Sequence, residues 1–381
     1  MKPTAALVVL LVPLGIGCAS PAKLGDPLDD VSKNERAEFD KGRAVFTREF
    51  EPGTGLGPLF NANACSECHE EPVTGGHGDE IETHFALVRP DRTCDVLVDR
   101  GGPVVQNHVT PALKEALGID AEPIPEGVAT GRRTTPDIFG FGLLEAVPDK
   151  RILAHADPDD RDRDGISGRA NILPDGRVGR FGRKAQVADL AEFTRDAFLF
   201  EQGITSPGHL AEDTVGGRPL PPGVDTVAEP EIDDKAIEET TLFMRLLAPP
   251  APLELGGQAK KGRKIFEHIG CADCHTPVLK TGHSRIEALE HRKVAAYTDL
   301  LLHDMGPDLA DICMGLAAPS EFRTEPLMGL HNMTQFLHDG RARSVEEAIR
   351  LHGGEASHSR DAFAQLDDKS RAALLAFLGC L

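Results

Sequence analysis

The chain has 381 residues, enough for two or three domains that each bury a core. Its 61 acidic against 41 basic side chains leave a net charge of −20, which repels phosphate backbones and acidic lipid surfaces and excludes nucleic acid as a partner. Seventeen Phe, one Tyr and no Trp, set against 39 Gly and 28 Pro, predict helices joined by long irregular loops.

Residues 1–17 read as an export signal: one cation at Lys2, an apolar run from Ala5 to Leu14, then small residues before Cys18. The run is too short to span a bilayer and no later stretch reaches ~20 apolar residues, so a lipid anchor on Cys18, with no transmembrane helix, is expected. This places the protein on the periplasmic side of a bacterial membrane, exported and lipid-anchored.

Two similar halves follow, 32–250 and 256–381. The first opens with a helix that Ser32 and Glu35 close as a capping box, carrying Phe39, Gly42 and Phe46. Cys65-Ser66-Glu67-Cys68-His69 comes next. Some two hundred residues later Gly262 and Phe266 precede Cys271-Ala272-Asp273-Cys274-His275. Arg133-Thr134-Thr135-Pro136 and Arg323-Thr324-Glu325-Pro326 echo each other downstream, and each half ends on an amphipathic helix, about Asp233 to Leu247 and about Asp367 to Leu378. The proline-rich run after Leu247 links the halves, and Gly216 to Pro230 reads as a surface loop. Strand content is expected to be limited to short hairpins, around Phe85 to Val98. The fold class is therefore mainly α: a duplicated helical module with long irregular loops.

Two thiols two residues apart match the two vinyl groups on a haem edge, and the histidine after them reaches the iron, the pattern of covalent c-type attachment. About 0.007 such pentapeptides are expected by chance from the chain's Cys and His content, so two are not accidental. Paired Cys-x-x-Cys also suits a four-thiolate zinc site, but zinc requires no histidine after each pair. Cofactor attachment is thus assigned to Cys65, Cys68, His69, Cys271, Cys274 and His275, for two covalently attached c-type haems. Two of Cys94, Cys313 and Cys380 can form a disulfide, which two being undetermined.

The role of each iron depends on its sixth ligand. Apart from Met1, the five methionines all follow residue 240, which leaves His77, His84 and His108 as candidates in the first half. The second half offers Met305, Met328, Met333, His331, His338 and His352. Between the motifs, Asp160, Asp162, Asp164 and the Ile166 carbonyl present oxygen ligands at calcium spacing, although Asn171 stands where a bidentate Glu would complete the loop.

Several phrases resemble the di-haem oxidoreductase family, peroxidase-like proteins distantly related to bacterial di-haem cytochrome c peroxidase. They are Gly57-Pro58-Leu59-Phe60-Asn61-Ala62, Gly140 to Ala146, Ala156 to Arg169, Leu301-Leu302-His303-Asp304-Met305-Gly306, His338-Asp339-Gly340-Arg341-Ala342 and His352-Gly353-Gly354-Glu355-Ala356. The resemblance implies two cytochrome c-like domains, calcium between them, peroxide or another small oxidant reduced at the N-terminal haem, and electrons delivered through the C-terminal haem. A small cationic redox protein would suit the charge as donor. By the same analogy the helix Ser344 to Leu351 leads to His352 as sixth ligand of the C-terminal iron, ahead of Met305, and His338 belongs to a structural turn. Glu145 and Gln106 are the candidates for the distal acid/base group. Arg183, Phe322 and Met328 stand where the relatives place Trp, so no Trp relay connects the haems. The alternatives are a non-catalytic periplasmic electron-transfer cytochrome and an oxygen-activating di-haem oxygenase.

Overall fold

The structure, a computed structural model, describes residues 23–381; the expected signal segment and Cys18 lie outside the described residues. Helix makes up 34% of the chain and strand 14%, so helices dominate but do not stand alone. Among the described residues no helix is long and apolar enough to cross a membrane.

Two helix pairs repeat one geometry. The first joins Lys33–Phe46 to Asp234–Leu246, and the second joins Gly257–His268 to Asp368–Leu378. Side-chain caps start three of the four, Gly257–His268 having only Gly256 at its N-cap. Ser32 and Glu35 form the capping box, Asp233 accepts from Ala236 N at 3.0 Å, and Asp367 accepts from Ser370 N at 2.7 Å. The pairs cross at glycines: a Cβ on Gly42 would fall on the carbonyl oxygen of Glu239, and one on Gly262 on that of Ala373. At each crossing a phenylalanine of the opening helix packs on one from the closing helix. Phe46 and Phe243 have centroids 4.9 Å apart, and Phe266 and Phe377 have centroids 5.4 Å apart.

The long segment between the first motif and Leu190–Gln202 holds more sheet than a short hairpin. Ile81–Val88 does pair with Cys94–Asp95 as expected, but it also takes Val104–Val105 and the six residues of Ala129–Thr134 as antiparallel neighbours. Ala129–Thr134 lacks an alternating apolar pattern, because its buried residues are Gly131 and the polar Arg133 and Thr134, which meet Asp311 and Arg183 from distant segments. Pattern reading has no signal for such a strand. In the second half Leu302–Asp304 pairs with Glu321–Arg323, setting Phe322 opposite His303.

The largest apolar cluster draws on both halves, running from Phe39, Phe139 and Phe243 to Leu289, Leu301 and Met328. Three further ties cross the halves: the Cys94–Cys313 disulfide, the buried Arg133–Asp311–Lys184 ion-pair group, and Arg169 paired with Glu321. Of the three described cysteines outside the motifs, Cys94 and Cys313 are the bonded pair and Cys380 is buried in the second helical cluster.

Gly42→Ala and Gly262→Ala are each expected to destabilise the protein by about 1–3 kcal/mol, because the added methyl meets rigid backbone. Chemical denaturation measures this, and a change within a few tenths would contradict the crossing. Cys313→Ser should cost about 2–4 kcal/mol by releasing a loop of 219 residues, read from the same denaturation curves.

Candidate functional site

Each Cys-x-x-Cys forms a single helical turn, Cys65–Cys68 and Cys271–Cys274, and the next residue caps it with a backbone N–H: His69 N to Cys65 O and His275 N to Cys271 O. The two thiols therefore lie on one face of the turn with the imidazole below them. The helix-crossing phenylalanine of each half packs on that imidazole, Phe46 on His69 at 5.9 Å and Phe266 on His275 at 6.5 Å.

The imidazoles are oriented alike. His69 Nδ1 donates to Gly76 O at 2.9 Å and His275 Nδ1 donates to Tyr297 O at 3.0 Å. Because a carbonyl only accepts, Nδ1 carries the proton in both, which leaves Nε2 of His275 with its lone pair, while His69 also bonds the Pro136 carbonyl. Burial holds both rings neutral, lowering His69 and pushing His275 down to about 4, with a contribution from the nearby His352. His352 repeats the arrangement: it follows the helix Val345–Leu351, its Nδ1 donates to Ala348 O at 2.7 Å, and burial lowers its pKa. A cavity of about 250 Å³ is lined by Cys271, Cys274, His275 and His352, with Phe266 and Met305 among its apolar walls. Met328 and Met333 line it too, as do Arg183 and Phe322, so the three positions without the expected Trp all border this cavity.

Among the described residues no cluster of three or more potential metal ligands includes a cysteine, so the paired thiols do not assemble a four-thiolate zinc site.

Around the first motif the neighbours are acidic. Glu201 accepts from Asn61 Nδ2 at 2.9 Å, and its burial beside Glu82 raises its carboxyl well above the usual range. Glu82 stays low although burial opposes it, because His84 Nε2 lies 3.0 Å from its Oε2. Glu82 and His84 share one face of Ile81–Val88, two residues apart. Both glutamates bear electrostatically on Cys68, and Glu82 also on His69. Sequence reading missed them as a pair, since Glu82 and Glu201 are 119 positions apart and only the sheet and the Leu190–Gln202 helix join them.

His77 is buried with Nε2 3.3 Å from Thr334 Oγ1, Nδ1 of both His77 and His84 is buried without a partner, and His108 is exposed with its ring 5.5 Å from Phe60. Glu145 forms a two-point ion pair with Arg245, at 2.6 and 2.9 Å, and accepts from Leu190 N, so its oxygens brace helices. Gln106 is fully buried, donating to Phe200 O at 3.2 Å and Asp213 Oδ2 at 2.8 Å. In the second half His338 stacks on Phe322 at 4.2 Å and its carbonyl accepts from Thr134 N at 3.0 Å, in keeping with a structural turn. Both ring nitrogens of His331 are buried without a hydrogen-bond partner.

Asp160, Asp162 and Asp164 converge with ligand oxygens within 4.8 Å of one another, while Asp157 N to Gly168 O closes the loop at 2.9 Å. Ile166 reaches the wall of the second-half cavity, and the charges of Asp164 and Asp162 help raise Asp273, inside the second motif, after burial. The loop therefore lies beside the second site.

Solved structures of similar shape include Kuenenia stuttgartiensis hydrazine synthase, 14% identical over 100% of this chain and 99% of that one, with a TM-score of 0.44. A MauG-like protein associated with microbial copper homeostasis is 15% identical over 95% and 94%, at 0.41. The diheme peroxidase BthA of Burkholderia thailandensis is 14% identical over 90% and 85%, at 0.40. No curated protein sequence matches. Residues 114–381 match the family model described as "Di-haem oxidoreductase, putative peroxidase". With most of its length matched, this chain belongs to the di-haem oxidoreductase family.

Proposed function

We propose that this member of the family is a c-type di-haem oxidoreductase that reduces peroxide in its first half with electrons received through its second. The observation that carries the reading is the pair His275 and His352: both line one largely apolar cavity, and each has Nδ1 tied to a backbone carbonyl and Nε2 free. The residues present fit a haem there: Cys271 and Cys274 would attach it, and His275 and His352 would hold its iron. Cys65, Cys68 and His69 would hold a second haem in the first half. Bound haem supplies one-electron redox chemistry and, where an axial position is open, a place for a small oxidant.

Of the first-half imidazoles outside the motif, His77 and His84 each engage Nε2, with Thr334 and Glu82, and bury Nδ1 without a partner, while His108 is exposed against Phe60; none of them is taken as an iron ligand. Cleaving an O–O bond requires a group that moves a proton from one oxygen to the other. Glu201, kept protonated by burial, and Glu82, kept ionised by His84, form the acid and base pair nearest to that motif. They replace Glu145 and Gln106 in that role. A small cationic redox protein suits the net charge of −20 as donor, and the sequence of residues 1–18 supports export and lipid anchoring. Asp160, Asp162, Asp164 and the Ile166 carbonyl would bind calcium.

One carbon monoxide molecule per chain is expected to bind the ascorbate-reduced, calcium-loaded holoprotein. Absence of binding in both the ascorbate- and dithionite-reduced states would favour the electron-carrier alternative. His352→Gly should leave two covalently bound haems by mass spectrometry and abolish reductive activation of peroxide turnover; unchanged turnover would overturn the wiring. Chelation should lower the thermal midpoint of the wild type and leave that of Asp162→Asn/Asp164→Asn unmoved.

A further inference from the structure

His303 takes no part in the reading above, yet it is the most constrained histidine in the second half. It sits on the strand Leu302–Asp304 with its side chain 4% exposed. Nε2 lies 2.9 Å from Asp299 Oδ2 and Nδ1 lies 2.8 Å from Glu355 Oε2. Nδ1 is also 3.6 Å from Cys274 Sγ. Both ring nitrogens therefore face carboxylates, and an ionised carboxylate only accepts, so both nitrogens carry protons and the ring is a cation.

The carboxylates are themselves anchored by backbone and hydroxyl donors. Asp299 Oδ1 accepts from Leu301 N at 2.9 Å. Glu355 accepts from Ser167 N and Oγ at 3.1 and 2.7 Å, and from Asp304 N at 3.3 Å. The backbone packs against the ring on the remaining side, where a Cβ on Gly168 would stand 2.7 Å from Cε1. The charged and titratable groups facing His303 are thus Asp299, Glu355 and Cys274, with His275 behind the thiol. Burial opposes the charge, but the hydrogen bonds to Asp299 and Glu355 favour it and raise the ring's pKa. Nothing comparable flanks the first motif: Cys68 is influenced by Glu201, Glu80, Glu82 and Glu67, all acidic.

We propose that His303 is a fixed buried cation that offsets the Asp299 and Glu355 carboxylates and so keeps the reduction potential of the haem attached at Cys274 and His275 higher than those two anions alone would set it. The inference rests on the haem attachment proposed above. A positive charge beside the attachment sulfur favours the reduced iron, which carries one positive charge fewer, and does so in a water-poor setting where screening is weak. His303 touches neither substrate nor iron, so it is a positioning residue acting through the local field.

The test is spectroelectrochemical titration of the holoprotein at pH 6 to 9, comparing the wild type with His303→Gln and Glu355→Gln. Mass spectrometry of the denatured wild type comes first: a chain with fewer than two covalent haems overturns the attachment reading, and this proposal with it. With both haems present, His303→Gln should move the bis-imidazole, low-spin transition to lower potential, by ~tenfold or more in its equilibrium constant, about 59 mV for one electron. The shift should be the same across the pH range, because the ring stays charged throughout, and the other transition should hold. Glu355→Gln should move the same transition upward. If His303→Gln fails to assemble, the Glu355→Gln shift decides alone. An unmoved transition, or a shift in the same direction in both variants, would mean that His303 only braces the fold.

Discussion

The close approach of two helices at a glycine, made once in each half, is the constraint on which the rest of the molecule depends. At Gly42 and again at Gly262 the opening helix touches the backbone of the closing helix, which fixes both its distance and its angle. The phenylalanine one turn later, Phe46 or Phe266, then lies against both the closing helix and the motif histidine. Helix packing is thereby transmitted directly to the imidazole. A backbone carbonyl completes the alignment by holding Nδ1, from Gly76 in one half and Tyr297 in the other.

The two halves share that scaffold and differ in the charges they build around it. The first surrounds its motif with glutamates that burial and mutual repulsion drive apart in acidity, a property suited to moving protons. In the second, a histidine is clamped between two carboxylates beside the Cys274 thiol, and His275 and His352 line one cavity. One frame thus carries buried glutamates of unequal acidity in one half and a clamped imidazole in the other. The first-half insertions make this possible, since they supply Ile81–Val88 to the first site and Ser167 to the clamp at the second.

Those insertions also explain why the halves do not behave as separate beads. The principal apolar cluster runs across both, and the disulfide from Cys94 to Cys313 and the Arg133–Asp311–Lys184 group tie the sheet region to the second half. Arg183 and Arg323 both reach Glu325 on the cavity wall, so residues from the two halves complete one surface. The side chains at the positions without the expected Trp are part of that wall and pack there, Phe322 on His338 and Met328 beside Gly140.

The amino-acid sequence by itself determined whatever depends on short spacing. The duplicated motif, the four main helices with their caps, the acidic loop and the position of His352 all rest on neighbours within a turn or two, where backbone geometry fixes relative placement. Tertiary structure alone decided what depends on distant segments meeting. Glu82 meets Glu201, His303 meets Glu355, and Glu145 meets Arg245 at separations of 119, 52 and 100 residues. A carboxylate in a sequence carries no mark of its partner, and its acidity is set by burial and by the charge that folding places opposite it. Glu145 and Gln106 therefore looked like proton-handling groups and are structural braces, whereas the carboxyl groups beside the first motif became visible only once the sheet had formed.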